Sequence, residues 1–283
     1  MLIVGADSYI GTSFERYVQG RLDVTTISSL DDEWWRIDCS GFDSVVCLAG
    51  IAHRKQTAGI KDLYFSVNRD LAVEVADKVK SDGVKQFIYF SSMAVYGRKT
   101  GEITEHSIPS PINNDFYGLS KFEAEKLIEP MQTDGFLVAI VRPPMVYGPN
   151  CKGKFPSLVR ISRMSPFIPT FDNQRSMIFI DNLTEFLATI IEQGCSGVFC
   201  PQNKYHVSTA RIMEEITISA GKKPVRMPVL NLFIRLFLPV CPPLRNAFGS
   251  LYYSAKVSDM PFEHDYQVVG FEESIRRSLG NPK

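Results

Sequence analysis

Short apolar runs alternate with longer helical patterns through the first two-thirds of the chain. Parallel strands need this order, because neighbours in a parallel sheet are joined by crossovers that usually contain a helix. The runs at 2–4, 23–27, 44–48, 86–90 and 137–141 are predicted strands, with helices near 9–20, 62–81 and 116–130. The order predicts an α/β protein with a doubly wound parallel sheet of the Rossmann type.

A glycine-containing turn follows the first predicted strand. Residues 5–11, GADSYIG, place Gly5 at the strand end and Gly11 in the next helical pattern. Glycine is required where a chain turns tightly from strand to helix and where backbone approaches a pyrophosphate. The N–H groups of the following helix favour the same anion. The turn therefore predicts a dinucleotide site, with Ser8 in place of a middle glycine.

The pattern changes after Arg142, where six prolines fall between positions 143 and 169. Helices are predicted at 181–193, 208–220 and 227–238, with short strands near 177–180 and 197–200. We expect a dinucleotide-binding domain of residues 1–145 plus parts of 175–200. Residues 146–283 then form a small mixed substrate-binding region that closes over the carboxyl edge of the sheet, where ligands bind in such folds.

The overall charge is balanced, with 31 Lys and Arg residues against 31 Asp and Glu residues. Nothing in it indicates a nucleic-acid partner. The six cysteines have no C-x-x-C spacing and are expected to be reduced thiols. Since the first residues lead directly into a strand pattern, we expect no signal peptide and a cytoplasmic protein.

The most apolar stretch is VLNLFIRLFLPV, residues 229–240. It is shorter than the roughly 20 residues that span a bilayer, so no transmembrane segment is expected. Two interpretations remain open. The stretch is either a helix packed on the substrate side or an amphipathic helix that attaches loosely to a membrane-bound pathway partner.

Three side chains on successive βα units suit proton transfer beside a dinucleotide. Ser92 ends the fourth strand, and Tyr117 and Lys121 begin the following helix. Residues four apart share a helical face, so Tyr117 and Lys121 can reach one ligand. A nearby ammonium lowers the pKa of a phenol towards the range useful for acid–base catalysis. A serine hydroxyl can stabilise the substrate oxygen that gains charge.

Together these residues resemble the extended short-chain dehydrogenase/reductase superfamily, in particular the NAD-dependent epimerase/dehydratase family that acts on nucleotide sugars. Further resembling segments are CLAGIAH at 47–53, FSVNRD at 65–70, VRPPMVYGPN at 141–150 and RSMIFIDN at 175–182. The resemblance covers nearly the whole chain. It implies the Rossmann-type fold and a redox enzyme.

The resemblance implies a role for each matching residue. Tyr117 becomes the catalytic acid–base, Lys121 the residue that holds the cofactor ribose, and Ser92 the hydrogen-bonding serine that contacts substrate. The implied cofactor-binding residues, besides Tyr117 and Lys121, are Gly5, Ser8, Tyr9, Ile10, Gly11, Ser28, Asp38, Leu48, Ala49, Gly50, Pro143 and Val146. The implied substrate-binding residues, besides Ser92, are Asn150, Lys154 and Arg175, the last suited to a diphosphate.

The chain departs from its relatives after Ser92. Dehydratases of the family carry an Asp-Glu pair there, and the related decarboxylases carry a glutamate. Met93 and Ala94 occupy these positions and cannot transfer a proton. The sequence therefore predicts either 4-epimerisation or reduction of a 4-keto sugar.

The end of the second strand bears on the cofactor. A carboxylate there would bind the adenosine ribose and favour NAD(H), but the aligned residue is Ser28. We therefore expect NADP(H) in slight preference to NAD(H), with Arg36 near enough to contribute. A dissociating NADPH favours the 4-keto reductase, with the UDP-sugar 4-epimerase as the alternative. The resemblance implies a UDP-N-acetylhexosamine type substrate, a surface-polysaccharide pathway and a homodimer.

A third interpretation is a regulatory protein that binds a dinucleotide without turnover. Relatives of that kind usually lose the serine, tyrosine or lysine, and this chain keeps all three. No metal is expected, because neither His53 nor His206 lies in a cluster with metal-ligand spacing.

Overall fold

The computed structural model describes residues 1–29, 33–52, 58–112, 115–260, 262 and 264–280. In chain order its strands are β1 (Leu2–Val4), β2 (Thr25–Ile27), β3 (Ser44–Cys47), β4 (Gln86–Phe90), β5 (Gly101–Ile103), β6 (Leu137–Val141), β7 (Met145–Tyr147), β8 (Phe167–Ile168), β9 (Met177–Phe179), β10 (Gly197–Phe199), β11 (Val225–Arg226) and β12 (Leu251–Tyr253).

The α-helices are α1 (Tyr9–Tyr17), α2 (Glu33–Arg36), α3 (Lys61–Phe65), α4 (Leu71–Ser81), α5 (Phe116–Ile128), α6 (Lys154–Met164), α7 (Ile180–Glu192), α8 (Thr209–Ser219), α9 (Val229–Phe237), α10 (Pro242–Phe248) and α11 (Phe271–Ser278). A π turn at Ser66–Asp70 joins α3 to α4. A 3-10 turn at Met93–Tyr96 follows β4.

Six parallel strands form the central sheet in the order β2-β1-β3-β4-β6-β10. Val4 pairs with Ile27 on one side and with Cys47 on the other, so the carboxyl ends of β1, β2 and β3 lie level. The chain crosses from β1 to β2 in one direction and then to β3 in the other. In such a sheet the crevice between the strands at this reversal, β1 and β3, is where ligands bind.

Helices cover both faces of the sheet, as a parallel sheet requires. On one face, Ala72 and Val75 of α4 and Ala124 of α5 pack in a buried cluster with Val45 and Phe87. On the other face, α1 and α7 pack through a second cluster whose buried members include Phe14, Leu183 and Phe186.

The five predicted strands of the first two-thirds are confirmed, and so is the Rossmann-type fold. The helical pattern predicted at 62–81 is confirmed, although a π turn at Ser66–Asp70 interrupts its α-helical period. The proline-rich stretch is also more regular than expected. Helix α6 accommodates Pro156 because this residue lies in its first turn, where the missing N–H would have no intrahelical acceptor. The domain division at residue 145 stays a prediction.

A buried ion pair ties helix α5 to the carboxyl end of β6. Arg142 donates through Nε to Glu125 Oε1 at 2.9 Å and through Nη2 to Glu125 Oε2 at 2.7 Å. The side chains of Arg142 and Glu125 are only 11% and 3% exposed. Arg142 Nη1 also donates to the hydroxyl of Tyr96 at 3.0 Å. This pair holds the helix that carries Tyr117 and Lys121 against the sheet.

We predict that Glu125→Ala lowers the free energy of unfolding by about 3–5 kcal/mol, because it leaves the Arg142 guanidinium buried without its carboxylate. Urea denaturation followed by circular dichroism measures the change. The control is Asp43→Ala, which breaks the exposed Lys85–Asp43 pair of 3.0 Å and is expected to cost about 1 kcal/mol at most. Equal losses in the two variants would contradict the role given to the buried pair.

Candidate active site

The turn after β1 can be made only by glycine. Gly5 has φ +115°, and a Cβ placed on it would lie 2.9 Å from the backbone nitrogen of Ala49. The ends of β1 and β3 are therefore in direct contact. Gly5 and Ala6 both donate their N–H groups to the carbonyl of Ile27, at 2.9 and 3.0 Å, which adds the end of β2 to the same edge.

Helix α1 begins at this turn with its N-terminus towards the crevice edge. Ser8 is its N-cap, and its hydroxyl accepts the Gly11 N–H at 3.0 Å. A Cβ on Gly11 would lie 2.7 Å from that hydroxyl oxygen, so the second glycine permits the close cap. Tyr9 and Ile10, the first helical residues, pack with Val146 in one apolar cluster. The N–H groups of a first helical turn lack intrahelical acceptors and suit an anion.

The turn after β3 lies directly beside Lys121. A Cβ on Gly50 would be 3.1 Å from Asn68 Oδ1 and 3.3 Å from Lys121 Nζ. Leu48 and Ala49 precede it and are buried. The backbone at Leu48, Ala49 and Gly50 thus forms a close wall between the glycine turn and helix α5.

Asn68 is fully buried and organises this wall. Its Oδ1 accepts the Ile51 N–H at 2.7 Å, and its Nδ2 donates to the Ile51 carbonyl and to Ser120 Oγ, both at 3.1 Å. Its own carbonyl accepts the Tyr89 hydroxyl at 2.9 Å. The sequence analysis gave Asn68 no role. The FSVNRD resemblance was the available signal, but the π turn that directs the side chain inwards was not predicted.

Lys121 is buried at the carboxyl end of β4. Its Nζ donates to the Phe90 carbonyl at 2.8 Å and lies 4.6 Å from the centre of the Tyr89 ring. Burial lowers the pKa of Lys121 to about 8, against the opposing effects of Cys47 and Glu125. The ammonium is thus held within the sheet edge and is poorly solvated.

Tyr117 lies one helical turn before Lys121, with Ser92 opposite. Burial raises the pKa of the Tyr117 phenol, and a hydrogen bond with Ser92 opposes the shift. The Ser92 hydroxyl also accepts the Ala94 N–H at 3.1 Å as the cap of the 3-10 turn. The ring of Tyr64 contacts that of Tyr117 edge-on, with centres 6.5 Å apart. The structure therefore brings the predicted serine and tyrosine together.

Asp115 is a further residue of this site that the sequence analysis did not identify. It caps α5 by accepting the Gly118 N–H at 2.9 Å, and its charge helps to raise the pKa of Tyr117. Its position directly before a helical pattern was the available signal, because aspartate is a favoured N-cap.

Ser28 lies at the predicted adenosine end of the crevice, but the cofactor contact predicted for Asp38 is wrong. Cys39, next to it, donates its N–H to Asp82 at 3.0 Å, and Asp82 ends α4 just before β4, at the amino edge of the sheet. Ser28 directly follows Ile27, whose carbonyl holds the glycine turn. Asp38 is exposed and accepts the Ser40 N–H at 2.9 Å, a hydrogen bond that lowers the pKa of its carboxyl. Arg36, at the end of α2, is exposed as well.

Two predicted substrate residues form a cationic group on the opposite side of the site. Burial lowers the pKa of Lys154, and the charges of Arg175 and Lys99 lower it further. Arg175 Nη1 donates to the carbonyls of Asn246 and Gly249, both at 3.0 Å. The guanidinium is thus fixed against the chain that follows α10, a contact that sequence spacing did not predict.

The remaining predicted residues lie between these two sides. Pro143 accepts the Met93 N–H at 3.0 Å, which places the segment before β7 against the Ser92 turn. Asn150 is exposed, with a left-handed φ of 59°, on the turn before α6. Within the described part of the chain, Asn150 forms no hydrogen bond with Lys154 or Arg175.

Of the two histidines considered as metal ligands, His53 lies outside the described residues. His206 Nε2 lies 2.8 Å from the Tyr253 carbonyl, an ordinary hydrogen bond. Among the residues that the structure describes, no group of three or more His, Cys, Asp or Glu side chains is placed to hold a metal ion.

Comparison with known proteins gives matches over most of the chain. The model of the NAD dependent epimerase/dehydratase family matches residues 1–199. A UDP-glucose 4-epimerase from Vibrio cholerae is 35% identical over 188 residues, which are 62% of this chain and 57% of that protein. The N-acetyl-alpha-D-glucosaminyl-diphospho-ditrans,octacis-undecaprenol 4-epimerase of Escherichia coli O157:H7 is 26% identical over 246 residues, 79% of this chain and 73% of that protein.

Solved structures share the fold. The UDP-glucuronic acid 4-epimerase of Bacillus cereus in complex with NAD superposes with a TM-score of 0.74 at 17% identity, covering 99% of this chain and 95% of that one. The dTDP-4-dehydrorhamnose reductase of Bacillus anthracis in complex with NADP has a TM-score of 0.63 at 20% identity, covering 80% and 82%.

The burial of Lys121 predicts a distinctive titration. A folded pKa near 8 lies below the ordinary lysine value of about 10.4, so the unfolded chain binds more protons between these values. Lys121 should therefore contribute a rise in the free energy of unfolding with pH across this window, opposed by the fall that buried thiols such as Cys47, with a pKa of about 11, contribute above pH 9. Lys121→Met should remove the rise, whereas Lys85→Met, at an exposed lysine, should keep it.

Urea denaturation at several pH values measures this difference, and carbon NMR of lysine-labelled protein reports the pKa directly. A Lys121 signal that titrates together with the exposed lysines would contradict the prediction.

Proposed function

Because the chain belongs to the NAD dependent epimerase/dehydratase family, we propose that it catalyses redox chemistry at C4 of a sugar carried on a diphosphate, with Tyr117 as the acid–base. The observation that carries this proposal is the meeting of Ser92, Tyr117 and Lys121 at the carboxyl end of β4, next to the wall at Gly50. A regulatory protein without turnover has no need of a hydroxyl, a phenol and a buried ammonium at one edge.

The crevice fits a dinucleotide of the NAD(P) type. The glycine turn at Gly5 and the start of α1 would hold the pyrophosphate, and the wall at 48–50 would line the cofactor. Lys121 would hold the ribose next to the nicotinamide. When bound, the nicotinamide supplies the hydride acceptor and donor.

Tyr117 would take the proton from the C4 hydroxyl of the sugar and return it to the C4 oxygen. Its raised pKa keeps the phenol protonated in the structure described here. A positive charge nearby lowers that pKa, and the Lys121 ammonium one turn along α5 is the protein's own source of such charge. Ser92 can donate to the same oxygen while its own oxygen accepts the Ala94 N–H.

We favour 4-epimerisation, because the named relatives from Vibrio cholerae and Escherichia coli are both 4-epimerases. Reduction of a 4-keto sugar is the second candidate. Ser28 supports it, since the carboxylate that would exclude a 2′-phosphate is missing there. Dehydration is disfavoured, because Met93 and Ala94 follow Ser92 and neither transfers protons.

Lys154 and Arg175 would bind the diphosphate of the substrate. Their mutual repulsion and partial burial give an anion a favourable place to bind. The two named epimerases differ in what the diphosphate carries, a nucleoside in one and a polyprenol in the other. A UDP-N-acetylhexosamine, a homodimer and a surface-polysaccharide pathway remain predictions from the resemblance.

We expect Tyr117→Phe to lower kcat by about 10²–10⁴-fold, because the ring stays in place while the proton donor is lost. Dinucleotide affinity, measured by calorimetry, should be unchanged. The matched control is Tyr205→Phe, at a tyrosine that is 72% exposed, which should keep full activity. Full activity in Tyr117→Phe would show that the acid–base is another group.

The choice between the two reactions can be made by identifying the dinucleotide released when the purified protein is denatured. An epimerase regenerates its cofactor in each turnover, so we expect NAD to be released in stoichiometric amount. NMR should then show inversion at C4 of a UDP-N-acetylhexosamine without added cofactor. An empty protein that oxidises NADPH only with 4-keto sugar nucleotides would establish the reductase, and absence of both activities would refute the proposal.

A further inference from the structure

Helix α9 exposes an apolar face. Apolar residues of α9 and of the turn directly after it are spaced i, i+3, i+4, i+7, i+8 and i+11, the spacing that on a helix normally faces a core. The exposed fractions are 53% for Val229, 67% for Leu232, 56% for Phe233, 66% for Leu236, 45% for Phe237 and 75% for Val240. These six residues are called the α9 face. The opposite side of the helix is packed inwards through Ile234, which is 6% exposed.

The exposed apolar surface continues beyond the helix. Phe167 and Val225 are paired in register between β8 and β11, and they are 51% and 44% exposed. Exposed apolar patches of this kind mark interaction sites in soluble proteins.

The stretch of chain that carries this surface is basic. Between Glu215 and Asp259 the chain has six basic residues and no acidic one, although the whole chain is neutral. They are Lys222, Lys223, Arg226, Arg235, Arg245 and Lys256. Lys222, Lys223 and Arg235 are exposed, while Arg226 pairs with Glu214 and Lys256 pairs with Glu105, both at 2.6 Å.

This surface is joined to the cationic side of the active site. Asn231 of α9 accepts the Thr170 N–H at 3.0 Å and donates to its hydroxyl at 2.8 Å. After α9 the chain forms α10, and the carbonyls of Asn246 and Gly249 at the end of α10 accept hydrogen bonds from Arg175. The positive charge of Arg175 in turn lowers the pKa of Lys154.

We propose that the α9 face docks on the surface of an anionic lipid bilayer. Apolar side chains on one face of a helix bury into the headgroup boundary, and flanking basic residues attract anionic lipid. No helix in the described ranges combines the length and apolarity needed to cross a bilayer, which fits a helix lying along its surface. This inference goes beyond the proposed function and does not depend on it.

Charge favours a membrane over a second copy of the chain. A two-fold interface places the same patch against itself. Here it would bring Lys222, Lys223 and Arg235 of two copies together, and residues 216–258 contain no acidic residue to pair with them. Glu214 and Glu105 are already paired with Arg226 and Lys256. Anionic headgroups supply the missing negative charge.

Vesicle sedimentation tests the proposal with the full chain. Wild type should bind vesicles of phosphatidylglycerol and phosphatidylcholine at least about tenfold more tightly than vesicles of phosphatidylcholine alone, and about 0.5 M salt should weaken the binding. The double variant Phe233→Glu, Leu236→Glu should lose at least about tenfold in affinity. The matched control is Val198→Glu, Val268→Glu, at apolar residues 40% and 53% exposed on other elements, and it should bind as wild type does.

Circular dichroism and dinucleotide affinity check that each variant is folded. Equal vesicle binding by wild type and the α9-face variant would overturn the proposal. So would a wild-type dimer, measured by light scattering, that shows no vesicle binding and becomes monomeric in the α9-face variant, because the face would then be an interface between copies.

Discussion

The buried ammonium of Lys121 is the interaction on which the site depends. Removing a charge from water is costly, so the ammonium needs a partner of fixed position. The Phe90 carbonyl at the end of β4 provides it at 2.8 Å. Because Lys121 and Tyr117 share one face of α5, fixing the ammonium also fixes the phenol. Gly50 lies directly beside both this ammonium and the amide of Asn68.

A buried ion pair further along α5 adds to the hydrogen bond of Lys121. Glu125 follows Lys121 by one turn and binds Arg142 through two hydrogen bonds. Arg142 extends β6, the strand beside β4. Helix α5 is therefore attached to two neighbouring strands at different heights, by a hydrogen bond from Lys121 to the Phe90 carbonyl and by the Glu125–Arg142 ion pair. A helix held in this way cannot slide without breaking a buried charge contact, which keeps Tyr117 aligned with Ser92.

Much of the fold was predictable from the sequence, because apolar runs such as those of β4 and β6 are buried on both faces of a parallel sheet. The residues Ser92, Tyr117 and Lys121 were identified by their order and spacing. Asn68 was not, because its orientation depends on a π turn that interrupts the helical period. The contact of Arg175 with the end of α10 joins residues more than 70 positions apart, and the apolarity of α9 does not tell which side faces water.

The π turn also restricts how the chain length can vary between α3 and α4. A π turn accommodates one residue more than an α-helical path through the same ends. Loss of a single residue from Ser66–Asp70 would allow a continuous, more regular helix. Each residue of an α-helix advances by about 100°, so the same deletion would rotate the Asn68 amide away from Ile51 and open the wall beside Lys121. The length of this segment is therefore constrained independently of which side chains it carries, in addition to the requirement for Asn68 itself.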